Sequence, residues 1–479
     1  MSLSVNYPEE GYIAHQAKWK LCRDVISGKD DIFDSGEIYL PKLSEQTPDE
    51  YAAYQLRAGW YGATDRTKIA LKGMIFRKDP VTTYKNPKVE EFLKDVTMDG
   101  VSAIGFASMA IDEVLETGRG GILVDYHLQD SGDRPGTAAD AEAKKLRSYV
   151  QLYSAEQIIG VVSKRVNNQT IITQIRLREV EENISSEDEF KKTTQRIVRV
   201  LEINSDGVYQ QRIFSEEAKS ESDDSSGDYG RFTEDKNIII PKKNGETFSY
   251  IPFFFLGVQD MDMGYDKPPL LDLCEVNLDY FRTKSDYKHG LHFTGLPTVI
   301  ITGHGNAEGT TYRIGSTVAW VFEEEGADAK YLEFQGQGLS ESREELQNLK
   351  NDMASLGARM LTAEKKQVEA AESHRIKRSG EQSLLASMAN SSSEALSRAL
   401  NEALSWNGIE DELSLRLNTD FNIAEMSAKD VLDLWRVVQS GGMLIEDFFY
   451  NLHQGERLSP DIEDQDRMTR IQTSPPPAE

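Results

Sequence analysis

The chain has 479 residues and a formal net charge of −26, from 80 Asp and Glu against 54 Lys and Arg. Single cores stop growing at roughly 250 to 300 residues, so this length predicts two or three domains. The acid excess argues against a broad basic face that grips nucleic acid, because phosphate affinity comes from neutralisation by Lys and Arg.

Residues Tyr12 to Met74 read as helical pieces. The first, HQAKWKLCRDVISG, ends at Gly28, and a second starts at Thr47 with Pro48 at its first helical position. Asn86 to Val114 reads as one further helix, with Val89, Phe92 and Leu93 on one face. The segment ETGRGGILVDYHL then gives a helix end, a glycine turn and a strand.

From Lys145 to Phe214 the period shifts to two, with Val, Ile, Thr and Tyr enriched, which predicts a meander of antiparallel strands. The acidic stretch Glu217 to Gly230 reads as a mobile loop, and NIIIP and TFSYIPFFFLG as two more buried strands. At Pro268 a helix begins, carrying Leu271, Val276, Leu278 and Phe281. At about 22 residues it would reach roughly 33 Å. Leu296 to Phe334 reads as a compact β insert: LPTVIITG, a glycine-rich turn, then TTYRIGSTVAWVF.

Ser340 to Trp406 contains no proline and reads as helix on both sides of a charged elbow. Leu346, Leu349, Met353, Leu356 and Met360 make one apolar stripe before the elbow. Beyond it, from His374, Leu385, Met388, Ala395, Leu396, Ala399, Ala403 and Leu404 make another. The elbow carries Arg359, Lys365, Lys366, Arg375, Lys377 and Arg378. At helical spacings these cations can pair with Glu364, Glu369, Glu372 and Glu381 and do nothing more. Arranged around a ring, the same residues would present repeated positive charge without reading sequence. A helix with Ser427 as N-cap and Gly441 past its end follows, then MLIEDFFYNLHQG and a charged, proline-ended tail.

Signals for catalysis are thin. No GxxxxGK[ST] occurs, so the cradle and lysine that hold nucleotide phosphates are missing. Gly118, Gly120 and Gly121 precede a strand instead of opening a helix after one, the wrong order for a dinucleotide fingerprint, and read as a turn. The histidines His15, His127, His289, His292, His304, His374 and His453 are scattered; only His289 and His292 could share a face, and no metal is expected. Cys22 and Cys274 are far apart in sequence and give neither a disulfide framework nor a zinc site. MSLSVNYPEEGY shows no secretory signal, and the longest apolar run, Ile251 to Val258, is too short to span a bilayer.

The order of helix at Pro268, β insert, helix at Leu339, charged elbow and long helix at His374 resembles the core of a tailed-bacteriophage portal protein. Local sequences carry the likeness: YIPFFFLG, PPLLDLCEVNLDYFRTKSDYKHGLH, LPTVIITG and RIKRSGEQSLLASMA are similar to a portal-like family formerly catalogued as a domain of unknown function. RTKIALKGMIFRKDP and GRGGILVDY add to it, and the likeness spans roughly Trp19 to Gly455.

The resemblance implies an α+β portal-protein fold with wing, helical stem, a small β clip between two stem helices, and a long tunnel or wing helix. The wing would be residues 1–265, the first stem helix 266–289, the clip 290–337 and the second stem helix 338–357. A tunnel loop would be 358–373, the long helix 374–406, C-terminal wing or crown helices 407–455, and a flexible tail 456–479. It places Arg359, Lys365, Lys366, Arg375, Lys377 and Arg378 at the DNA channel, and Pro297, Thr298, His304, Tyr312, Arg313 and Trp320 in a clip that docks the motor and adaptor. It further implies a homododecameric ring at one capsid vertex of the virion, assembled in the host cytoplasm, with no enzyme activity and no cofactor. The implied partners are double-stranded DNA, the terminase motor, the head-tail adaptor and the major capsid protein, with no membrane. A mostly acidic wall suits DNA that must slide, and the Ser/Ala-rich face of the long helix suits contacts between ring neighbours. Two alternatives stand beside this: an adaptor or scaffold without a DNA channel, and a hydrolase whose carboxylate site leaves no sequence motif.

Overall fold

The computed structural model describes residues 4–42, 44–126, 146–184, 190–217, 230–235, 237–294, 298–302, 326–332, 337–360, 383–421 and 428–454, with positions 457, 458, 467 and 469. The chain divides into two compact units, Met1–Thr419 and Asp420–Glu479. The class is mixed α and β.

Helix α1 (Glu10–Ser27) stops at Gly28, whose φ of 105° no side-chain-bearing residue adopts readily. A short α2 (Lys29–Asp34) follows, and α3 (Pro48–Arg57) opens on a complete capping box between Thr47 and Glu50. Then come α4 (Ala63–Ile75), strand β1 (Val81–Thr83), α5 (Lys88–Lys94) and α6 (Ala103–Thr117). The single helix expected over Asn86 to Val114 is therefore two. The Asp95 carboxylate accepts from the backbone N–H groups of Met98 (2.9 Å) and Gly100 (3.0 Å), both at positive φ, and Ser102 caps the new start at Gly105. The Trp19 indole N–H donates to the Thr117 carbonyl at 3.1 Å, tying α1 to the end of α6.

Gly118 makes the turn out of α6 at φ 74°, and β2 (Arg119–Tyr126) begins at once. Gly120 and Gly121 are thus strand residues and not part of the turn. A Cβ on Gly121 would collide with the Phe253 ring, and one on Gly120 would sit 2.9 Å from Glu113 Cγ. Strands β3 (Ser148–Ser154), β4 (Ile158–Val166), β5 (Gln169–Ile184), β6 (Lys192–Ile203), β7 (Tyr209–Glu216) and β8 (Phe232–Glu234) follow. After them come β9 (Lys242–Lys243), β10 (Glu246–Thr247) and β11 (Phe253–Gly257).

The meander expected from Lys145 onward is split between two sheets. β3 joins an antiparallel sheet of order β11-β2-β3, and a turn at Ala155–Gln157 hands the chain to a second sheet of order β4-β5-β6-β7-β8. Asn167 and Asn168, both at positive φ, form the two-residue turn between β4 and β5. NIIIP is not a buried strand: Ile238 and Ile240 are exposed, and only Ile239 bridges to Gln211. The segment Glu217 to Gly230 lies mostly outside the described residues.

The unit continues with α7 (Leu271–Thr294), β12 (Thr298–Thr302), β13 (Asp328–Leu332), α8 (Gln337–Arg359), α9 (Leu384–Trp406) and β14 (Ser414–Arg416), which pairs with β1. Helix α9 starts later than His374 because Ser383 is extended and its hydroxyl accepts the Ala386 N–H at 3.2 Å, a proper N-cap. Its Ser/Ala face is already occupied. Ala389, Ser392, Ala395, Ala399 and Ala403 are buried as α9 packs on β11, β2, β3 and α6, so that face is not available to a ring neighbour as the sequence suggested.

In the second unit, α10 (Ala428–Gln439) and α11 (Ile445–Gln454) pack around Phe448, Phe449 and Leu452, with the Trp435 and Phe448 rings 5.2 Å apart. Ser427, expected as the cap of α10, lies outside the described residues. No described helix is long and apolar enough to cross a membrane.

Candidate functional site: the paired helices and their hairpin

Helices α7 and α8 lie side by side and run antiparallel. Gly290 near the end of α7 has so little room that a Cβ there would stand 2.9 Å from Leu339 Cδ2 at the start of α8, while Lys284 and Lys350 reach one pair of rings further along. On α7, Leu271, Cys274, Leu278, Phe281 and Ser285 are buried at helical spacing against α1, α3 and α4. Among the described residues of α8 only Leu346 and Met353 are buried, seven apart, and Met360 just past its end continues that spacing, so the helix is held by a narrow stripe and its other faces are largely open.

Polar contacts lock α7 in place. Asn277 Oδ1 accepts the N–H groups of Ala63 (3.2 Å) and Thr64 (3.3 Å), using a side chain to satisfy the start of α4. The Tyr54 hydroxyl donates to Asp286 at 2.5 Å, and burial together with that carboxylate pushes its pKa far up. Arg57 Nη2 stands 3.3 Å from His289 Nδ1; burial and then the guanidinium hold the imidazole below its usual pKa.

Between the two helices β12 and β13 form an antiparallel hairpin, in register from Thr298 opposite Leu332 to Thr302 opposite Asp328. The partner strand is therefore Asp328–Leu332; the expected second strand TTYRIGSTVAWVF lies outside the described residues. Helix α7 runs to Thr294, past Gly290, where the clip was expected to begin.

Of the clip residues named from sequence, Thr298 opens β12, and Pro297, His304, Tyr312, Arg313 and Trp320 lie outside the described residues. Of the channel residues, Arg359 is the last residue of α8. Lys365, Lys366, Arg375, Lys377 and Arg378 lie outside the described residues, as do His304 and His374.

Sequence reading missed three groups of charged residues. The first joins α1 to α6: Arg23 Nη2 meets Glu113 at 2.7 Å and Arg23 Nε meets Glu156 at 3.0 Å, with Glu116 also paired to Arg23 and to Lys68. Burial raises the Glu113 pKa despite Arg23, whereas the bonds from Arg23 outweigh burial at Glu156 and leave it lowered. The second joins the two sheets: Arg199 on β6 reaches Asp125 on β2 at 3.0 Å and Glu179 on β5 at 2.9 Å, and Gln211 donates to Asp125 at 3.0 Å. Desolvation raises Asp125. Both groups hold elements together. The third, Lys284, Lys288 and Lys350, sits on the helix pair itself. Only Lys284 and Lys288, four apart, were legible as neighbours; Lys350 arrives through the antiparallel packing.

Among the described residues no group of three or more His, Cys, Asp or Glu is placed to hold a metal ion.

Residues 269–407 match the family model of a domain of unknown function (DUF4055). That span runs from the start of α7 through the hairpin and α8 to the end of α9. No curated protein matches the chain. Among solved structures, a chain of the neck of a native gene transfer agent particle, computed with C12 symmetry, is 13% identical with a TM-score of 0.39, covering 88% of this chain and 98% of that one. A chain of the virion of a native gene transfer agent particle is 12% identical with a TM-score of 0.38, covering 86% and 94%. A chain of the neck of an empty particle, computed with C6 symmetry, is 13% identical with a TM-score of 0.38, covering 80% and 87%. These are distant likenesses.

Proposed function

We propose that this chain is the subunit of a portal-type ring in a tailed-phage-like particle, through which double-stranded DNA is packaged and released. The observation that carries the reading is the arrangement of α7, hairpin and α8: two long antiparallel helices whose connecting end is extended by a β-hairpin, followed along the chain by the buried α9. The sequence resemblance assigns the same order to stem, clip, stem and long helix.

In this reading α7 and α8 form the stem, the hairpin docks the terminase motor and later the head-tail adaptor, and the elbow at Lys365 and Lys366 faces the DNA. The subunit performs no catalysis of its own. Twelve copies would surround the duplex with a largely acidic wall that repels phosphates, leaving a few basic side chains to set the friction. Contact with the major capsid protein at one vertex completes the set of partners, and the virion is the final location.

Mass measurement and negative-stain imaging of the purified full chain test the proposal together. The expected outcome is a ring with a central hole and a mass near twelve copies. A monomer or dimer under every assembly condition overturns it in favour of an adaptor or scaffold.

A further inference from the structure

Three ammonium groups converge on the α7/α8 pair where Tyr61, in the connection from α3 to α4, packs against Tyr280 of α7. Lys284 Nζ stands 5.7 Å from the Tyr61 ring centroid and 5.3 Å from that of Tyr280. Lys350 Nζ, from the other helix, stands 5.6 and 5.8 Å from the same two rings. The rings themselves are 5.3 Å apart. Lys288, one turn beyond Lys284, places its ammonium in the space a Cβ on Gly59 would fill, and Lys284 Cε lies 3.2 Å from that same point. Arg66 adds a guanidinium 6.0 Å from the Tyr61 centroid.

A tyrosine face offsets part of the cost of one ammonium within about 6 Å. It does not supply a counter-charge for several. Among the described residues, no carboxylate is ion-paired with Lys284, Lys288 or Lys350, in a chain with 80 acidic residues, and the carboxylates nearest in sequence on α7 pair elsewhere: Asp279 with Arg282 and Asp286 with Tyr54. Burial first, then the like charges of Lys288 and Lys350, hold the Lys284 pKa below its usual value. Lys288 and Lys350 are exposed and Lys284 half-buried, so the cluster is open to solvent.

We propose that Lys284, Lys288 and Lys350, backed by Tyr61 and Tyr280, form a phosphate-binding site. A tetrahedral phosphate offers several anionic oxygens to ammoniums arriving from different directions, which suits three mobile point charges better than a single planar carboxylate does. The phosphate can come from a DNA phosphodiester or from free orthophosphate. The site lies within one chain, so it stands whether or not the ring reading does.

The test uses the full chain. At constant ionic strength, exchanging chloride for orthophosphate should raise the melting midpoint by about 2–4 °C. Lys350→Gln should melt higher than wild type in chloride, because a repulsion is removed, and should lose the phosphate response; Lys350→Arg should keep it. Lys288→Gln, at an exposed position, provides the same loss should Lys350→Gln fail to fold. In a second arm, binding of a short duplex is followed against salt, where each ammonium removed should flatten the log–log slope by about 0.9. A flattened slope assigns the site to phosphodiester, and an orthophosphate response with unchanged slope assigns it to free phosphate. No response in either arm, or a lower chloride melting point for both Gln variants, overturns the proposal and leaves the lysines as structural partners of the tyrosines. Loss of self-association with neither response overturns it in favour of a carboxylate from a second copy.

Discussion

Gly121 illustrates how a residue without a side chain can carry structural weight. The Phe253 ring lies over it in the neighbouring strand, so Gly121→Ala forces that ring or the strand to move and should cost about 1–3 kcal/mol. Gly73, exposed within α4 with nothing within 4 Å of a Cβ, predicts the opposite sign: Gly73→Ala should stabilise by about 0.5–1 kcal/mol. Paired denaturation of the two variants checks both directions. Glu156 makes a pH prediction. Its folded pKa is lowered from 4.5: burial opposes ionisation, and the bonds from Arg23 outweigh it. A depressed carboxylate pKa gives stability that is present above the unfolded value and is lost as pH falls through the folded one. Glu156→Gln should therefore weaken the fold at neutral pH and show a shallower loss below pH 4.5 than wild type, read by melting across an acid series.

Elements are joined mainly by pairs that are distant in sequence. Arg199 ties β6 to β2 and β5 with all three side chains largely removed from water. Arg199→Leu would leave Asp125 and Glu179 buried without their cation and should cost about 3–5 kcal/mol. Arg196, on the same strand but 44% exposed, pairs with Glu216 at the surface, and Arg196→Leu should cost no more than about 1 kcal/mol. Urea unfolding of the two variants separates a pair that joins the sheets from one that decorates the surface. The helix pair shows the same division: α7 is fixed on both sides by Asn277, Tyr54 and its buried stripe, whereas among the described residues α8 buries only Leu346 and Met353. Under load, α8 should be the first of the two to exchange its backbone amides.

At the scale of the molecule, the ring reading needs faces that neighbouring copies can share. The small-residue face of α9 is spent on the three-stranded sheet, so the open sides of α8 are left as candidates. The elbow supplies the functional prediction. Lys365→Glu with Lys366→Glu should leave ring assembly intact while impairing packaging or retention of DNA, measured by ring mass beside the DNA content of assembled particles. Loss of the ring in that variant would show these lysines to be structural. The phosphate response of the α7/α8 face provides a separate readout, since Lys284, Lys288 and Lys350 are carried on the helix pair and not on the elbow.

The sequence by itself determined the local elements. The capping box at Thr47, the stop at Gly28, the two long helices around a β insert and the period-two strands were all legible, because caps, turns and periodicity act over a few residues. It did not determine what those elements face. That Asn86 to Val114 breaks at Asp95 depends on one carboxylate finding two N–H groups, which competes with helix propensity only once the fold holds the loop. Gly120 and Gly121 read as a turn until Glu113 and Phe253 fill the space above them, and the Ser/Ala face of α9 could equally meet a neighbour or its own sheet. Arg199 finding Asp125 and Glu179, or Lys350 finding Lys284, requires positions tens of residues apart to meet. Any of the chain's 80 acidic residues could have been the partner by composition alone, and only the packed tertiary structure selects which charges are buried together and which are left unpaired.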